Sequence, residues 1–285
     1  MHNILYSLNF ILMITMPLIL GWLIHRNRSV SWRLFGIGCV TFIVSQMAHI
    51  PFNYFVFPLV QEQVEPLSDL ARLLITAAFL GLSAGLFEEI TRYFGYRFWA
   101  KDARSWGKAM MLGAGHGGVE AIILGILVGI NTVMLIAWKN DRFTALIPAE
   151  QEPLIAAALD AFFSTPWYET ILGSMERFFA ISFHLSLSLM VMFAYMRRSW
   201  GWLLLAVLYH ALVDAIAVIS VTLWGAVATE ALLALASIAS ISFILRLRTP
   251  EPVEPEPEPL PEFAAPAKLQ MDVTPDKLDE SKYSS

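Results

Sequence analysis

Seven apolar runs recur along this chain, at roughly 4–24, 34–57, 71–97, 108–138, 168–195, 201–221 and 224–245. A bilayer core about 30 Å thick is crossed by roughly 20 helical residues, and backbone in hydrocarbon must satisfy its own hydrogen bonds. Runs of this length therefore predict transmembrane helices and leave little room for another fold. Charged residues make up 15% of the 285-residue chain, against about 25% in a soluble domain. The fold class expected is all-α, a polytopic bundle of seven transmembrane helices whose surroundings are lipid. No nucleic-acid partner is expected. The first run has no basic leader segment and no small-residue cleavage site, so it reads as a retained span. The single cysteine, Cys39, excludes an internal disulfide.

Loop charges set the expected topology. Arg26, Arg28 and Arg33 follow the first run, Arg97, Lys101, Arg104 and Lys108 the third, Arg197 and Arg198 the fifth, and Arg246 and Arg248 the seventh. The alternate loops carry Glu62, Glu65 and Asp69, then Asp141, Glu150, Glu152 and Asp160. By the positive-inside rule the N-terminus lies outside and the C-terminal tail in the cytoplasm, in a membrane expected to be the bacterial plasma membrane. All nine tryptophans (Trp22, Trp32, Trp99, Trp106, Trp138, Trp167, Trp200, Trp202 and Trp224) fall near predicted span ends, where an apolar ring with a wet N–H is most stable. Residues 139–167 form a longer loop with an amphipathic stretch around Leu154–Phe163, either surface-lying or plain loop. From Thr249 the composition turns to Pro-Glu repeats, which cannot bury enough apolar area to order themselves. Two regions follow: a membrane domain at 1–248 and a disordered cytoplasmic tail at 249–285.

Against this background the third run is anomalous. It reads Gly81-Leu-Ser-Ala-Gly-Leu-Phe-Glu88-Glu89-Ile-Thr-Arg92, and each charge at mid-helix costs roughly 2.5–3.5 kcal/mol. A passive span would avoid them. The fourth run carries His116 and Glu120, the fifth Glu176, Arg177 and His184, and the sixth His210 and Asp214. Residues four apart share a helix face, so His116/Glu120 and His210/Asp214 each present an imidazole and a carboxylate to one side. Counted from the basic ends at ~1.5 Å per residue, Glu88, Glu89, His116 and His210 lie roughly 12–14 Å deep and His184 roughly 20 Å. Runs three to six can thus converge on one polar centre, opening toward the cytoplasm. Glu176 and Arg177 lie further out, near the outer interface, where a plain ion pair and a part in the site are both open. His49 and Asn53, His2 and His25 read as interfacial, and Asn131 and Thr76 as packing. The pairs Gly81/Gly85, Gly113/Gly117 and Gly125/Gly129 have the spacing of close helix contacts.

Five carboxylates (Glu88, Glu89, Glu120, Glu176, Asp214) face two guanidiniums (Arg92, Arg177) in these runs. Either protons are shared among them or a divalent cation binds; imidazole and carboxylate ligands suit Zn²⁺ or Mn²⁺.

The ordered set Glu-Glu-x-x-Arg, Gly-His-Gly-Gly-x-Glu, Glu-Arg-(x)6-His and His-x-x-x-Asp resembles the YhfC family of intramembrane peptidases. That family is similar to PrsW-type proteases and to the CAAX-prenyl and bacteriocin-processing glutamic proteases. The resemblance covers roughly residues 1–248. It implies hydrolysis of a peptide bond in a membrane protein or peptide, with Glu88 or Glu89 activating a water together with a histidine. His210 and Asp214 would stabilise the oxyanion or complete a metal site. The prenyl-protease pattern has its basic residue one position later than Arg92, and a Phe four before its histidine where this chain has Leu112 and Ala180. Both His116 and His184 therefore stand as the histidine. The expected site residues are Glu88, Glu89, Arg92, His116, Glu120, His184, His210 and Asp214, with His116, His184, His210 and Glu89 as ligands if a metal is bound.

Other chemistries are weighed beside this one. Gly81-Leu-Ser83-Ala-Gly85 matches a serine-hydrolase string but lies mid-helix instead of on a strand-to-helix elbow. No His-Glu-x-x-His occurs. A proton- or cation-linked transporter would need polar residues continuing to both faces. A catalytically silent immunity or scaffold protein is the remaining alternative.

Overall fold

The computed structural model describes residues 2–140, 142 and 149–251. The helices are α1 (His2–Arg28), α2 (Trp32–Val64), α3 (Asp69–Phe94), α4 (Trp106–Lys139), α5 (Glu152–Ser164), α6 (Leu172–Arg197), α7 (Trp200–Trp224) and α8 (Ala226–Arg246). A π-helical turn, Gly95–Trp99, continues α3. No strand occurs among the described residues. Seven helices, all but α5, are long and apolar enough to cross a membrane, and they match the seven runs. The chain is an all-α polytopic bundle. Its exposed surface is rich in Leu, Ile, Val and Phe, as contact with lipid tails requires. Serines cap the basic-side entries to α2 and α4: Ser31 accepts from Arg33 N, and Ser105 from Lys108 N.

Helix α6 is the axis of the bundle. In its most apolar window 67% of the residues are buried, against 22–33% in the other six spanning helices. Glycines set how closely the others approach. A Cβ on Gly81 would strike the Ala211 carbonyl oxygen and one on Gly85 the Val207 carbonyl oxygen, so α3 lies directly on α7. Gly113 leaves no room against Ser188 and Leu185, and Gly117 none against the His184 ring, which brings α4 onto α6. Gly38 and Gly115 do the same for α2 and α4. These small-residue contacts hold together the helices that carry the ionisable residues.

The stretch expected as a surface-lying segment or loop is the helix α5. Phe162 is its buried residue, stacked on Tyr6 with ring centroids 3.9 Å apart. Asp141 lies outside the described residues, as does the tail from 252 onward. Thr249 to Glu251 pack with the helices. The Glu251 carboxylate accepts from Gly107 N at 2.7 Å and from the Ser105 hydroxyl, and so occupies the N-terminus of α4.

Candidate active site

The polar residues of the third to sixth runs, now on α3, α4, α6 and α7, lie in one buried cluster made of two hydrogen-bonded networks, which face each other where Glu88 Oε2 and His210 Nε2 are 4.0 Å apart. Glu89 and Arg92 are fully buried, and Arg92 donates to Glu89 Oε2 at 2.5 Å, one helical turn apart. The other oxygen, Oε1, is 2.8 Å from His210 Nδ1. Arg92 also donates to His184 Nδ1 at 3.0 Å, and His184 Nε2 lies 3.0 Å from Glu120 Oε2. A guanidinium can only donate, so His184 Nδ1 accepts and its Nε2–H donates to Glu120. Glu120 accepts in turn from Arg177 at 2.7 Å, and Arg177 pairs with Glu176.

Glu88 is held differently. Its Oε1 accepts from Gln46 Nε2 at 2.9 Å; its Oε2 lies 3.1 Å from His116 Nε2 and 4.0 Å from His210 Nε2. Asp214 Oδ2 is 3.5 Å from the same His210 nitrogen. The His184 ring lies 5.2 Å from that of His116 and 5.5 Å from that of His210, centroid to centroid. Both Glu89 oxygens are held by Arg92 and His210 and both Glu88 oxygens by Gln46 and His116, while His210 Nε2 and Glu88 Oε2 face each other across 4.0 Å, a spacing that one bridging water spans.

His184 shares the centre with the shallower residues, as the expected convergence of runs three to six requires, although counting from helix ends puts it deeper. Two features differ from the sequence expectation. Helix α2 contributes as well: Thr41 Oγ1 is 2.9 Å from His116 Nδ1, and Gln46 holds Glu88. His49, expected at the interface, lies 3.0 Å from the Ser83 hydroxyl and stacks on Phe87. Ser83 also bonds back to the Leu80 carbonyl within its own helix, as the mid-helix reading of that string anticipates. Arg177, left open between ion pair and site, is joined to the cluster through Glu120. Thr41 and Gln46 carry no sequence signal of their own, being uncharged polar residues in a long apolar helix.

Two cavities reach the cluster. One, of about 120 Å³, lies among α6, α7 and α8 and is lined by Glu176, Arg177, His184, His210 and Asp214, with Glu88 and Glu120 at its inner end. The other is a groove of about 720 Å³ between α2 and α4, walled by Phe42, Ile43, Met47, Ile123 and Leu124, with Glu88, Glu120 and Asp214 at its floor.

The donor chemistry fits a divalent metal. Glu88, His116 and His184 offer ligand atoms within 4.8 Å of one another, as do Glu88, Glu89 and His210, and all five residues are buried. Glu88 belongs to both groups. His116 meets the usual pattern for a ligating imidazole, its Nδ1 on a hydroxyl and its Nε2 toward the carboxylate. To join it, His184 releases one of its two hydrogen bonds.

Helices and cluster together define an integral, multi-pass membrane protein with a buried imidazole–carboxylate centre able to hold a metal ion. The chain belongs to the YhfC intramembrane metalloprotease family, whose model matches residues 12–236. It is 30% identical over 240 residues to the uncharacterized membrane protein YhfC of Bacillus subtilis (strain 168), covering 78% of this chain and 87% of that one. No solved structure matches it.

Proposed function

We propose that the chain is a metal-dependent peptidase cleaving a membrane-embedded peptide segment, with its N-terminus outside and its tail in the cytoplasm. The observation that carries this reading is the chain Arg92–Glu89–His210. Arg92 neutralises and fixes Glu89; Glu89 takes the Nδ1–H of His210; His210 Nε2 is left facing Glu88 Oε2 across 4.0 Å. A water between them would give its proton to His210, and the imidazolium so formed would be stabilised by Glu89 and Asp214. The same imidazole can return that proton to the leaving amine.

Glu88, His116 and His184 are the residues proposed to hold the metal, which would supply Lewis acidity and a more nucleophilic water at neutral pH. Glu120 and Arg177 position His184. Burial strengthens every one of these interactions, since the local dielectric is far below that of water.

The α2–α4 groove supports a membrane peptide as substrate. Its walls are apolar, its floor is the cluster, and it opens where the helices face lipid. Pro51 in its α2 wall has no N–H, so the Met47 carbonyl lacks its usual helical donor and offers an acceptor to an extended peptide backbone.

The test is mass spectrometry of protein N-termini in membranes from cells expressing the wild type, Glu88→Gln or His210→Ala. New N-termini within apolar segments, present with wild type and absent with both variants at equal expression, are expected. Identical N-termini in all three samples contradict the reading.

A further inference from the structure

A hydrolytic centre inside a bilayer needs water, and the two sides of the cluster along the helix axes differ sharply. Toward the arginine-rich loops it is closed. Tyr96, Met111, Leu112, Leu187, Leu189 and Val191 are fully buried there, and Tyr96 is fastened to Ser188 by a 2.7 Å hydrogen bond. Such a layer offers water no space, and its hydroxyls are already paired with each other.

The opposite side is open. The 120 Å³ cavity follows His184, Ala180, Arg177 and Glu176 along α6, and His210, Asp214 and Ala217 along α7, always away from the arginine-rich ends of these helices. Its walls combine carboxylates, a guanidinium and two imidazoles with alanines and a few larger apolar side chains, Phe179, Phe183, Val213 and Leu233. At about 120 Å³ it has room for several waters, and Glu176, Arg177, His184, His210 and Asp214 offer them polar partners. At the outer end the Glu176 side chain is 42% exposed. Glu230 on α8, electrostatically coupled to Glu176 and Arg177, buries an Oε2 with no hydrogen-bond partner among the described residues. A buried carboxylate oxygen of this kind calls for a water.

We propose that the α6–α7–α8 cavity is the water inlet of the site, entered at Glu176 from the membrane face opposite the arginine-rich loops, while the α2–α4 groove is reserved for the apolar substrate. Arg177, bound to Glu176 on one side and Glu120 on the other, marks the inner threshold of the inlet. The division of labour rests on the peptidase reading; the inlet itself is tested without it.

Single cysteines in place of Ala180, Ala217 and Ala236, which line the cavity, are placed in a Cys39→Ser chain reconstituted in vesicles. Controls at Phe178, Leu212 and Leu235 lie on the same helices and are exposed outside the cavity. The probe is the cationic, membrane-impermeant reagent trimethylammonium-ethyl methanethiosulfonate, applied to one face at a time. Cavity positions are expected to react at least about tenfold faster than the controls, and from the Glu176 face alone, because a cation is excluded from hydrocarbon by more than that factor. Rates equal to the controls, or reaction from the arginine-rich face, overturn the inlet. Size-exclusion profiles and helical circular dichroism like those of the parent chain are required of every variant compared. Inlet reactivity in a chain that cleaves nothing would leave the inlet standing and remove the peptidase.

Discussion

Glu89 on α3 and His210 on α7 are joined by a 2.8 Å hydrogen bond through Nδ1, and the second Glu89 oxygen is held by Arg92. The close approach of the two helices at Gly81 and Gly85 makes that contact possible. Glu89→Ala and His210→Ala act on one unit, so each is expected to lower the cleavage rate by about 10²–10⁴ and the double variant by little more than the worse single one. Rates of N-terminus appearance in the three variants decide this; fully additive losses would separate the two residues.

Glu88 and Glu89 are adjacent in sequence but should fail differently. Removing Glu89 strands the buried Arg92 guanidinium, at a cost of about 3–5 kcal/mol. Glu88→Gln keeps an acceptor for Gln46 and should stay within about 1 kcal/mol of wild type while losing activity. Thermal denaturation in detergent checks the pair. Equal destabilisation by Glu89→Ala and Glu88→Gln would contradict the assigned roles.

Gly85→Val places side-chain atoms against the Val207 carbonyl oxygen and the Ala211 nitrogen. Overpacking of this kind typically costs about 1–3 kcal/mol. Because it pushes α3 off α7, activity should fall further than stability does. A variant with normal activity would mean that this approach does not position Glu89.

Asp102, in the turn between α3 and α4, accepts from Arg33 at 2.5 Å, and that hydrogen bond holds its carboxyl below the usual range. A depressed folded-state value means the contribution is present above the ordinary carboxylate range and lost as pH falls through the folded value. Both partners are about half exposed, so Asp102→Asn should cost under about 1 kcal/mol at pH 7, less in high salt, and nothing in strong acid. Denaturation at two pH values and two salt concentrations measures it.

Much of this was legible in the sequence, for identifiable reasons. Bilayer thickness fixes span length, so seven runs gave seven helices. Charges in hydrocarbon are too costly to be incidental, so Glu88, Glu89, Arg92, His116, His184 and His210 stood out. Thr41 and Gln46 did not, because uncharged polar residues in a long helix carry no such penalty and their partners are some 40 to 75 positions away. The direction in which the centre opens was also hidden. Polar density by depth favours an opening toward the arginine-rich side, but it cannot reveal that Met111, Leu187 and Tyr96 are fully buried on that side of the cluster, which depends on how the helices interlock and is why the proposed inlet lies on the other.

The most direct measurement is metal content of the purified protein by mass spectrometry, for wild type, Glu88→Ala, His116→Ala, His184→Ala and, as a control outside the cluster, His49→Ala. The account predicts about one equivalent of a divalent transition metal in wild type and His49→Ala, and its loss in the other three. Active wild-type protein without metal, or metal retained through all three cluster substitutions, would contradict it.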